Sequence, residues 1–155
     1  MGLFGKLFKP FQPLTMEDAE FGRLTFMPIK ENPAKSYWEA EYVFPPTGAV
    51  VSAGLQGTEE GPLPAAREFY RKMEARFADT MKAVTPSLER EFQEWLRRPL
   101  SENPWDDLVL SGFGVDDPTA DPLAWDVMFE TTGDKWLAFT VPFIGDAVQT
   151  VVVDT

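Results

Sequence analysis

The sequence predicts one α+β domain, an antiparallel sheet, whole or split into two parts, in the order βββ-αα-ββββ with a helical segment, residues 64–97, packed on one sheet face. Three observations predict it. Apolar and polar side chains alternate before residue 57, an apolar period of 3.6 residues runs from Ala66 to Leu96, and the alternation returns after Trp105. A chain of 155 residues that is 44% hydrophobic and 14% aromatic can bury one substantial core. The expected division is an N-terminal appendage, 1–15, and a single domain, 16–155.

In the appendage Leu3, Phe4, Leu7, Phe8 and Phe11 fall at helical spacing, with Lys6 and Lys9 between them. Pro10 and Pro13 stop any helix there. Such a basic amphipathic stub can lie on a membrane or a partner, and Leu3, Phe4, Leu7 and Phe8 are its contact residues. Strands follow at 21–28, 36–44 and 49–56. Trp38, Ala40, Tyr42 and Phe44 share one face of the second, with Glu39 and Glu41 on the other. Short loops, including Pro45-Pro46-Thr47-Gly48, make these three a meander. The stripe from Ala66 through Phe69, Tyr70, Met73, Phe77, Val84, Leu88 and Phe92 to Leu96 then predicts helices at 64–84 and 86–97, or one helix kinked at Pro86. Thr85 can cap the second. Four strands close the domain: 107–115, 123–131, 136–143 and 147–153. Gly133-Asp134 and Gly145-Asp146 supply two of the turns between them.

Charge is distributed unevenly along the chain. Residues 1–98 hold 13 Lys and Arg against 14 Asp and Glu, whereas residues 99–155 set Lys135 alone against 11 acids. A field of that sign repels nucleic acid and anionic lipid and favours basic partners. Arg67, Arg71, Lys72 and Arg76 do gather on one helix, but Glu68, Glu74 and Asp79 interleave with them, which describes a solvated face and not a phosphate track. No apolar run reaches the roughly 20 residues of a membrane span. Lys6 and Lys9 break the opening apolar stretch, and no small-residue cleavage site follows. The expected address is the cytoplasm.

The chain has no histidine and no cysteine. Ser-His-Asp and Cys-His catalysis are therefore excluded, as is any zinc site needing imidazole or thiolate. Gly112-Phe113-Gly114 lacks the third glycine of a phosphate loop and reads as a strand kink or bulge. Asp116, Asp117 and Asp121 are the candidate ligands for Ca²⁺ or Mg²⁺, but their spacing matches no EF-hand, and Asp and Pro favour turns in any case. No cofactor is expected.

Several segments resemble a broad group of small bacterial α+β domains, some of them held to be immunity proteins of polymorphic-toxin systems. The resemblance spans about residues 20–153. It rests on Phe21-Gly22-Arg23-Leu24, Tyr37-Trp38-Glu39-Ala40, Arg67-Glu68-Phe69-Tyr70, Trp125-Asp126-Val127-Met128-Phe129, Trp136 and Gly145-Asp146. It implies a bacterial cytoplasmic protein with a binding role and brings no catalytic signature. The expectation is a non-enzymatic domain presenting an acidic C-terminal sheet to a basic protein. Its contact residues are Trp105, Asp106, Asp107, Asp116, Asp117, Asp121, Asp126 and Glu130. The alternatives are a carboxylate-based hydrolase, with or without a divalent cation, and a peripheral membrane adaptor acting through residues 3–11.

Overall fold

The computed structural model describes residues 12–155. Ten strands build one sheet: β1 (Thr15–Asp18), β2 (Gly22–Met27), β3 (Tyr37–Phe44), β4 (Ala49–Thr58), β5 (Gly61–Pro62), β6 (Leu108–Val115), β7 (Ala124–Thr131), β8 (Ala138–Ile144), β9 (Ala147–Val148) and β10 (Val152–Asp154). Helices α1 (Pro64–Ala75) and α2 (Phe77–Leu96) lie between β5 and β6. None of the helices among the described residues is long and apolar enough to cross a membrane. The expected contacts of Leu3, Phe4, Leu7 and Phe8 lie outside the described residues.

The strands stand in the order β1-β2-β3-β4-β6-β7-β8-β10, with β5 beside β4 and β9 beside β8. All pair antiparallel except β4 and β6, which run parallel through a single bridge, Ser52 to Gly112. The sheet is therefore two antiparallel meanders joined at one seam. A parallel connection needs a long crossover, and the helical segment supplies it. The α+β class and the helical segment between two sets of strands are as the sequence predicts, while the all-antiparallel sheet is corrected by this seam. Two strands precede or follow the expected three, β1 and the short β5. The sheet also takes in Thr15, the last residue of the expected appendage. The expected strand 147–153 is two pieces, because one extra residue sits between the Gln149 and Val152 registers along β8. That bulge lets Val148 face the core along with Val151 and Val153.

One helical expectation is corrected. The break falls at Arg76, whose φ of −110° and ψ of 17° leave the helical region, and Pro86 lies inside α2. Pro86 is exposed, so the carbonyl of Lys82 that it cannot serve faces solvent. Thr85 does not cap a helix there; its hydroxyl donates back to the Met81 carbonyl at 2.6 Å. What bends the segment is packing. Phe77 sits 5.1 Å from Phe44 of β3 and Phe92 sits 6.0 Å from Phe139 of β8, so α2 crosses the strands. Meanwhile α1 is tied to the β1–β2 turn. Asp18 accepts from the amides of Glu20 and Phe21 and from Arg67 at 2.5 Å, and Arg71 pairs with Glu20. Replacing Pro86 by alanine is expected to raise stability by about 1–2 kcal/mol, since an exposed helix position gains an amide without losing packing. Urea unfolding of Pro86→Ala measures this, and an unchanged midpoint is the contrary result.

Both helices cover the same side of the sheet. Trp38, Tyr42 and Phe44 of β3, Val51 and Leu55 of β4, Val127 and Phe129 of β7 and Phe139 and Val141 of β8 point toward them and are buried. Tyr70 of α1 reaches the seam itself, where its hydroxyl accepts from the Gly54 amide at 2.9 Å. It thereby satisfies a strand donor that the single bridge between β4 and β6 leaves open. Neither α1 nor α2 covers the opposite face of the sheet, which carries no helix among the described residues.

Candidate functional site

Cross-strand register places the side chains of the uncovered face. Glu41 lies opposite Ser52, Ser52 beside Gly112, Gly112 opposite Met128, Met128 opposite Thr140 and Thr140 opposite Val152, one row across six strands. A second row runs through Glu39 and Gly54, and through Gly114, Asp126 and Pro142. Among the described residues the middle of the face thus holds Ser52, Gly54, Gly112 and Gly114, a trough along the seam. Glu39 and Glu41 of β3 stand on one side of it, Asp126 and Glu130 of β7 on the other. Two of these glycines are required by close approach. A Cβ on Gly112 would meet the Ser52 carbonyl oxygen at 2.8 Å, and one on Gly114 would meet the Asp126 carboxylate at 2.6 Å.

Strands β3 to β10 contain no Lys or Arg, and the uncovered face displays Glu39, Glu41, Asp126, Glu130 and Asp154. On β2 one cation, Arg23, shares this face and pairs with Glu17 of β1 at 3.6 Å, while the helical layer carries both signs, with Arg67, Arg71 and Lys72 beside Glu68 and Glu74 on α1. Valines interrupt the acids, with Val43 58% and Val50 60% exposed and Val109, Ile144 and Val152 also open to solvent. Burial pushes the Asp126 carboxyl above its ordinary value, and the charge of Asp116 pushes the same way. Its Oδ1 is buried without a hydrogen-bond partner among the described residues. Towards the other end of the trough β4 and β6 splay, and β6 carries an extra residue at Ser111. The resulting hollow, about 510 Å³, is lined by Glu41, Val50, Ser52, Val109, Ser111 and Glu130 among others. The Ser111 hydroxyl oxygen is buried and lacks a partner among the described residues.

The residues expected from sequence to form one contact surface are distributed differently. Asp126 and Glu130 are together on the uncovered face. Asp106 and Trp105 precede β6 while Asp116, Asp117 and Asp121 follow it, at opposite ends of a strand spanning roughly 26 Å. Trp105 stacks against Phe77, with ring centroids 6.1 Å apart and planes at 19°, and one edge remains exposed. Asp107 is turned inward, bonded to Arg98 at 3.0 Å and to the Ser101 amide at 2.7 Å, so its charge is neutralised within the fold. Burial works to raise its pKa, and those bonds outweigh it and hold the carboxyl low. Asp117 accepts from the amide and hydroxyl of Thr119, which is turn chemistry. Among the described residues Asp116, Asp117 and Asp121 form no group that could hold a metal ion. Glu39 and Glu41 are the site residues the charge tally by chain segment passed over. Their outward alternation against Trp38, Ala40 and Tyr42 was the signal that could have found them.

A second concavity lies on the helix side, a cleft of about 550 Å³ between α1, the start of α2, the 118–123 loop and the β8–β9 turn. Its floor is apolar, with Phe69, Met73, Trp125 and Phe143; Trp125 stacks on Phe143 at 4.1 Å and donates to the Gly145 carbonyl at 2.9 Å. Charges of both signs, Lys72, Arg76, Asp79, Asp121 and Asp146, surround the mouth, where Arg76 reaches Asp146 at 3.4 Å. That mixture selects no sign of ligand, whereas the uncovered sheet face from β3 to β10 has a single sign. Comparison with family models, with curated proteins and with solved structures finds no match to this chain.

Proposed function

We propose that this chain is a non-enzymatic protein-binding domain whose uncovered sheet face docks a basic protein. The observation that carries the reading is the run of acid on that face from β3 to β10. Five carboxylates and five exposed aliphatic side chains share a face whose strands from β3 to β10 contain no Lys or Arg. Aliphatic surface supplies area to bury, and the acids select the partner's sign and steer its approach. The same field disfavours nucleic acid. An immunity protein that neutralises a basic toxin in the bacterial cytoplasm is one instance of such a domain, in keeping with the resemblance read from the sequence.

The test compares two charge reversals of equal size in pull-downs from the native host at low and high salt. E39K/E41K/E130K alters the uncovered face, and E89K/E91K/E94K alters α2. The expected result is a basic protein retained by the parent and the helix variant, released by salt, and lost from the face variant. Its association rate should fall about tenfold or more as salt rises to physiological strength. Equal retention by both variants would overturn the reading.

A further inference from the structure

We propose that the hollow at the splayed part of the seam is an anchor pocket for an arginine side chain of the basic partner, a proposal that rests on the docking reading above. The covalent framework makes the opening: β4 and β6 share one bridge, and the extra residue at Ser111 holds the strands apart below it. Glu41 and Glu130 come from strands on either side of that opening, three strand spacings or roughly 14 Å apart at the backbone. Both side chains line the hollow. A cation seated between them can therefore meet carboxylates from two directions at once.

Two further features select guanidinium over ammonium. The Ser111 hydroxyl, buried and without a partner among the described residues, has an acceptor oxygen free for a donor. Val50 and Val109, at 60% and 45% exposure, offer apolar walls to a planar, weakly hydrated group and to its methylene stem. The strands that line the hollow, β3, β4, β6 and β7, carry no Lys or Arg, and the nearby Arg23 of β2 pairs with Glu17 of β1 at 3.6 Å. Arginine presents five donors in a fixed fork, enough for two carboxylates and a hydroxyl lying in different directions, whereas the ammonium of lysine is a compact and strongly hydrated point charge.

The experiment is an amide NMR titration of the full chain with Nα-acetyl-arginine methylamide, and with the lysine analogue at matched ionic strength. Saturable shifts are expected at Val50, Ser52, Val109 and Ser111 with the arginine probe, and binding about fivefold weaker with lysine. E130Q and, separately, E41Q on the opposite strand should each weaken arginine binding about tenfold. S111A should narrow the preference for arginine. Spectral dispersion of each variant reports that it is folded. Equal response to the two probes, shifts spread over all surface acids, or no loss in either glutamine variant would overturn the pocket. If the basic protein still docks on this face but the arginine probe does not saturate, the pocket fails and the docking reading stands. If the face variant also retains that protein, both fail.

Discussion

Replacing Gly112 by valine is expected to lower stability by about 3 kcal/mol, the upper part of the usual range for forcing volume into a packed site. The seam between the two meanders is a single bridge, Ser52 to Gly112, and a Cβ at Gly112 would lie 2.8 Å from the Ser52 carbonyl oxygen. That neighbour is backbone of a central strand, so relief requires the strands to separate, not a side chain to rotate. Gly133 provides the control, because a Cβ there meets nothing within 4 Å. Chemical denaturation should place Gly133→Ala within about 0.5 kcal/mol of the parent. A Gly112→Val variant as stable as the parent would mean that the seam does not hold the halves together.

Asp18→Ala should cost about 3 kcal/mol at neutral pH, the upper figure for hydrogen bonds to a charged group. One carboxylate there joins the β1–β2 turn to α1, accepting from the Glu20 and Phe21 amides and from Arg67, and its side chain is only 8% exposed. The same bonds set a pH dependence. The Arg67 hydrogen bond, against the opposing effect of burial, holds Asp18 below its ordinary value, and Asp107 is held low by Arg98 and Ser101. A carboxyl whose folded value is depressed stabilises the fold above its unfolded value. That contribution drains away as pH falls through the folded value. Asp126 and Glu74 behave oppositely: burial raises both, so each weakens the fold while ionised and returns stability as pH falls through its raised value. Stability should therefore increase slightly from neutral to mildly acidic pH, then collapse below the ordinary carboxylate range near pH 4. Denaturation midpoints of the parent, Asp18→Asn and Asp126→Asn across pH 3–7 separate these contributions. Asp18→Asn should flatten the acid limb and Asp126→Asn the rise. A monotonic profile in the parent contradicts the assignment.

Much of the fold was legible because burial on one side imposes a period. Alternation in β3, β4, β7 and β8 marked their inward rows residue by residue, and the stripe from Ala66 to Leu96 marked the helical layer. Gly48 and Gly145, at φ of +69° and +58°, lie at turns the glycines had announced. Less legible were features without a period. β1 is four residues long with only Met16 packed inward as an apolar side chain, and the helix break at Arg76 carries no proline or glycine. Pro86 gave a local signal that tertiary packing overrode, since its missing amide serves only a solvent-facing carbonyl.

The site followed a similar division. By itself the sequence determined the sheet-and-helix class, the impossibility of histidine or thiol chemistry, the surplus of acid and the outward direction of Glu39 and Glu41. Only the tertiary structure decided which acids share a surface, because that depends on strand order and on which face the helices cover. Neither quantity is encoded in local spacing. The near-neutral balance of residues 1–98 concealed Glu39 and Glu41 on the open face of the sheet, and the crossover between β4 and β6 set the charge-balanced helices on the opposite side. By the same connection, Asp107 passed from the expected contact surface into an internal ion pair with Arg98.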